Sequence, residues 1–111
     1  MKYALVIVND TETYRSLSPE QVDFERLAGW WAQLGGRLVA QARLGPPDNV
    51  ISISWRGADP LVTDGPYVEA KETVGGIIVV EVASQEEAVT LAKSFPNKVG
   101  CRIEVRPVVE P

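Results

Sequence analysis

Tyr3-Ala4-Leu5-Val6-Ile7-Val8 is the stretch on which the fold turns. It is apolar throughout and rich in β-branched and aromatic residues, so it reads as a strand covered on both faces. Ile77 to Val82 repeats the pattern, with Glu81 as its single charged member. Two such strands belong in the middle of a sheet, and each face of that sheet then needs a cover.

Working outward, Ser18 offers an N-cap, Pro19 the first helical position and Gln21 the far side of a capping box. Phe24, Leu27, Ala28 and Trp31, with Leu34 close by, then fall on one helical stripe that Gly35 and Gly36 end. Leu38, Ala40, Ala42 and Leu44 alternate with Arg37, Gln41 and Arg43, predicting a strand with one apolar face that stops at Pro46 and Pro47. Ile51, Ile53 and Trp55 alternate with Ser52, Ser54 and Arg56 in a third strand, which Leu61 and Val62 are expected to extend. Beyond the Ile77–Val82 strand, Ser84 and Glu87 form a second capping box. Ala88, Leu91, Ala92 and Phe95 make a helical stripe that Pro96 closes. Ile103 and Val105, alternating with Arg102, Glu104 and Arg106, supply a last strand.

The order β α β β β α β fits an α+β ferredoxin-like split βαβ sandwich with an extra hairpin strand, an antiparallel sheet carrying two helices on one face. A second copy is the simplest cover for the other face, which predicts a homodimer. At 111 residues, with no linker or repeat, one domain over 1–111 is expected.

Composition narrows the chemistry. A net charge of −4 opposes binding to nucleic acid or to an anionic membrane surface. With no histidine and the single cysteine Cys101, neither a zinc site nor an internal disulfide is expected, and no cofactor motif is found. The paired Gly75 and Gly76 precede a strand rather than a helix, so they suit a turn or a close backbone approach better than a phosphate cradle. No segment nears the roughly 20 apolar residues of a membrane span, and the cytoplasm is the expected location.

Asp64-Gly65-Pro66-Tyr67-Val68-Glu69-Ala70-Lys71-Glu72, followed by Gly75 and Gly76, resembles the signature DGPF-x-E-x-K-E, with Tyr67 where phenylalanine is usual. Further matches are Met1-Lys2-Tyr3, Gly45-Pro46-Pro47, Glu86-Glu87-Ala88 and Ile103 through Val108. On these residues the chain resembles the YCII-related, DGPF-motif family. That resemblance implies a dimeric α+β barrel and a cleft near the Asp-Gly-Pro segment. It also implies lyase activity in some relatives of the broader superfamily, and genes adjoining or fused to those of extracytoplasmic-function sigma factors. The broader group carries a His and Asp pair proposed as catalytic; without histidine, only the aspartate carries over, at Asp64.

Asp64 is thus the candidate catalytic residue, as a general base, if burial lifts its pKa. An Asx-type turn shaped with Gly65 and Pro66 explains it equally. Glu69, Lys71 and Glu72 set two carboxylates beside an ammonium, suited to a polar ligand or to an ion-pair network. Arg37, Arg43, Arg102 and Arg106 would line an anion cleft if their strands were neighbours, the plainer expectation being pairing with Glu104. Trp30, Trp31, Trp55 and Tyr67 serve as pocket walls or as core and dimer contacts. The expected ligand site therefore comprises Asp64, Gly65, Pro66, Tyr67, Glu69, Lys71, Glu72 and Arg43. It takes a small polar molecule in a homodimer. A sigma-factor interaction module and a lyase using Asp64 are the rival expectations.

Overall fold

A computed structural model of the chain describes residues 1–12, 24–45, 48, 50–65, 72–96 and 101–110. The elements run β1 (Lys2–Asp10), α1 (Phe24–Leu34), a 3-10 turn (Gly35–Arg37) and β2 (Leu38–Arg43). After them come β3 (Ile51–Trp55), β4 (Pro60–Asp64), β5 (Glu72–Glu81), α2 (Gln85–Lys93) and β6 (Cys101–Pro107). The helix start expected at Ser18 to Gln21 lies outside the described residues. β2, β5, β1 and β6 form one sheet in that order, every neighbouring pair antiparallel. This is the ferredoxin-like arrangement, with the two doubly apolar strands β1 and β5 at its centre.

Successive side chains on a strand point to opposite faces, so the register sorts the sheet into two surfaces. Tyr3 and Leu5 stand opposite Val80 and Ile78, and Val105 stands opposite Leu5 from β6. These residues meet the helices. Tyr3, Leu5, Ile78, Val80 and Val82 form one buried cluster with Trp30, Leu34, Ala88 and Leu91, flanked by Leu38, Ile103 and Val105. On α2, Ala88 and Leu91 are buried, and Ala92 and Phe95 pack against the cluster, as the helical spacing predicts.

On α1 the expected stripe holds at Leu27, Trp31 and Leu34, but Trp30 rather than Ala28 joins it. Trp30 and Leu34 are buried, Leu27 and Trp31 half-buried, and Ala28 exposed. Trp30 wins the inward position because its indole N–H donates to the Leu91 carbonyl at 2.9 Å and its ring meets Trp31 and Phe95 edge-on. A buried tryptophan needs such a partner, and α2 supplies it.

Two β-bulges adjust the sheet. In β2, Leu38 pairs with Val80 and Ala40 with Val79, leaving Val39 as the extra residue. The strict alternation expected for β2 is therefore broken: Leu38 shares the helix side with Gln41 and Arg43, while Ala40 and Ala42 lie on the other face. In β5, Ile7 pairs with Gly76 and Val8 with Val74, so Gly75 bulges. A Cβ there would stand 2.3 Å from Asn9 Nδ2, while one on Gly76 would stand 3.2 Å from the Ala42 carbonyl. Both glycines permit a close approach, as their pairing in the sequence suggested.

β3 and β4 form their own two-stranded antiparallel sheet, inserted between β2 and β5. Leu61 and Val62 do not extend β3; they lie in the returning strand, opposite Ser54 and Ile53. The turn through Gly57, at φ +85°, lets the chain reverse before they are reached. Among the described residues no helix is long and apolar enough to cross a membrane.

Candidate functional site

The antiparallel order brings the ends of β1 and β2 and the beginnings of β5 and β6 to one end of the sheet. Asp10 stands opposite Glu72, Asn9 opposite Cys101, Val8 opposite Arg102 and Arg43 opposite Gly76. The hairpin joins the sheet at this same end, where Leu44 N–H donates to the Gly75 carbonyl and Gly65 N–H to the Val50 carbonyl.

Arg102 organises the charges. Its Nε donates to Glu72 Oε2 and its Nη1 to Glu104 Oε2, both at 2.6 Å. Glu72 and Arg102 belong to the strands on either side of β1, so their ion pair spans β1 beside Val8. Val8 is 6% exposed yet stands apart from the helix-side cluster. The hydrogen bonds from Arg102 hold the Glu104 carboxyl below the usual range, with Arg106 adding a weaker pull. Those to Glu72 and Glu104 raise the guanidinium pKa further. Cys101 is half-buried, and desolvation pushes its thiol up, which suppresses the nucleophilic thiolate.

The four arginines do not share a cleft. β2 and β6 are opposite edges of the sheet, which separates Arg43 from Arg102 and Arg106. Arg37 is engaged elsewhere, its Nη1 donating to Glu87 Oε1 at 3.1 Å. Glu87 also accepts from Ala83 N–H, and its own N–H donates to Ser84 Oγ. The second capping box therefore forms, with the carboxylate one residue further back than the usual box requires. The backbone bond from Ala83 and then Arg37 lower its pKa.

Of the predicted ligand residues, Asp64, Gly65, Glu72 and Arg43 are described, and Pro66, Tyr67, Glu69 and Lys71 lie outside the described residues. Asp64 ends β4 and is exposed. Gly65 follows at φ +87°, a conformation that favours glycine. Asp10 and the cross-strand reach of Arg102 to Glu72 were missed by sequence reasoning. The signal for Asp10 is the abrupt change from an apolar run to Asn9-Asp10; the cross-strand reach has none without the register. A cavity of about 470 Å3 opens at the opposite end of the sheet, beside Lys2, Tyr3, Glu81 and Pro107. Its lining shares no residue with the Asp-Gly-Pro segment. Among the described residues no three His, Cys, Asp or Glu side chains converge to hold a metal ion.

A family model described as the YCII-related domain matches residues 1–110. An uncharacterized protein of Rhizobium meliloti (strain 1021) is 28% identical over 102 residues, which cover 87% of this chain and 82% of that protein.

Proposed function

Because the chain belongs to the YCII-related domain family, we propose that it works as a homodimer binding a small polar molecule between Asp64 and the charged end of the sheet. The observation that carries this reading is the gathering of Asp10, Glu72 and Arg102 at the sheet end to which the hairpin bearing Asp64 is tied, with Arg43 at the same end on the far edge strand. In this reading, Arg43 meets a carboxylate or phosphate of the ligand. Asp64 takes its hydroxyl or amino donors. Arg102, held by two carboxylates, serves as a brace for the site.

A general base at Asp64 would need a buried carboxylate, and Asp64 is exposed in the single chain. Binding is therefore preferred to lyase chemistry. The sigma-factor partnership rests on gene neighbourhood alone, and co-purification of such a factor would be its support.

A thermal-shift screen of small carboxylates, amino acids and phosphate esters tests the proposal. Ligand at a hundred times Kd stabilises the folded state by about 2.7 kcal/mol, and Asp64→Asn or Arg43→Gln should shrink that shift. No stabilisation by any compound at millimolar concentration would count against it.

A further inference from the structure

The hairpin's two faces are unlike each other. Residues opposite one another in an antiparallel pair share a face, so Ile51, Ile53, Trp55 and Val62 form one apolar stripe with Pro60. Their exposures are 66%, 52%, 65% and 59%. Serines occupy the alternate positions of β3, and both are better buried than the isoleucines. An isolated two-stranded hairpin is marginal in water, and an outward apolar stripe of this size is a docking surface rather than a solvated one.

The same chain carries a second partly open surface among the described residues. On the sheet face away from the helices lie the half-buried Ala4, Val6 and Val79 and the exposed Ile77, with Ala40 and Ala42 on one side and the charged Glu104 and Arg106 of β6 on the other. The hairpin does not cover it. The molecule measures 43 × 41 × 17 Å, a thickness that holds a sheet and a helix layer, and a third layer would add about 10 Å. Its radius of gyration is 15.9 Å, against about 13 Å for a compact chain of this length.

The area points to what fills these surfaces. The chain exposes 8004 Å², whereas a compact monomer of 12.1 kDa exposes roughly 6,000 Å². The excess is about 2,000 Å², well above the roughly 800 Å² that each partner contributes to a standard interface.

We infer that the β3–β4 hairpin is an exchange arm whose Ile51, Ile53, Trp55 and Val62 stripe seats on the open sheet face of a second copy of this chain. A two-fold pair satisfies both copies at once, since each offers one arm and one sheet face that is apolar along β1, β5 and β2. The inference rests on the homodimer proposed above and deepens it. Asp64 stands opposite Ile51 on the arm's apolar face, so docking carries it against the partner, and the ligand cleft is completed between the two copies.

Light scattering at micromolar concentration tests this on the wild type and on an Ile53→Asp, Val62→Asp variant, with circular dichroism as the check on folding. A wild-type dimer and a folded monomeric variant are expected. A variant that remains dimeric overturns the arm while leaving the dimer standing; a monomeric wild type overturns both. Should the variant fail to fold, thiol labelling keeps the question open to refutation. Ile53→Cys and Ile77→Cys, each in a Cys101→Ser background, should both lose most of their reactivity as protein concentration rises into the dimer range. Concentration-independent labelling of Ile53→Cys overturns the arm, and protection of Ile53→Cys without Ile77→Cys overturns its seat on the sheet face.

Discussion

The four-stranded sheet and the β3–β4 hairpin are both antiparallel β-structure in one chain, and they dispose their apolar residues in opposite ways. The sheet keeps Leu5, Ile78 and Val80 under two helices. The hairpin turns Ile51, Ile53 and Trp55 outward. Alternation of apolar and polar residues describes both equally well, so periodicity identifies an amphipathic strand without saying whether its apolar side meets its own chain. What decides the matter is whether another element of the same chain reaches that side.

This contrast is broken or sharpened by substitution. The largest effect is expected for Leu34→Ala, which removes a side chain 1% exposed and should cost about 2–5 kcal/mol. Ile53→Ala on the arm should stay within about 0.5 kcal/mol when the dissociated chain is measured. Urea unfolding at matched, low protein concentration compares the two directly; equal losses would mean that the arm packs within its own chain.

Trp30→Phe comes next. It removes the indole donor to the Leu91 carbonyl, which keeps Ser94 Oγ as a donor at 2.8 Å, so the loss is that of one hydrogen bond, about 0.5–1.5 kcal/mol. Ser84→Ala removes the side-chain cap on Glu87 N–H and should cost about 1 kcal/mol, whereas Thr63→Ala on the arm should be near neutral. Both are read as urea midpoints.

The smallest effect is a pH dependence. Glu87 and Glu104 have folded-state pKa values below the 4.5 of an unperturbed glutamate. Their contribution to stability is therefore fully present above about pH 4.5 and is lost as pH falls through the lowered folded values. The urea midpoint should be flat from neutral pH to about 5 and should fall below 4.5. The fall should be shallower in Glu104→Gln.

Much of the fold was legible because β1, β5 and α2 are locally consistent: apolar runs, a serine cap and a terminating proline agree with one another. The inward place of Trp30 on α1 was not, because Trp30 and Trp31 are equally apolar and only the Leu91 carbonyl on α2 chooses between them. Nor was the phase of β2, since a bulge at Val39 leaves no mark in composition. The motif singled out Asp64, Gly65 and Glu72, and the register brings Glu72 to the Arg102 ion pair. The arginine cleft hung on β2 and β6 being neighbours, which spacing along the chain does not reveal; they are opposite edges, and the plainer pairing with Glu104 forms at Arg102.

Strand order has one more consequence, for biosynthesis. β1 is made first, yet both of its partners, β5 from Glu72 and β6 from Cys101, are made last. A growing chain therefore carries Tyr3 to Val8 unpaired through most of translation, and pairings so distant in sequence form slowly. Nascent chains stalled before residue 72 should be sticky and dependent on chaperones, while completion of β6 should release them.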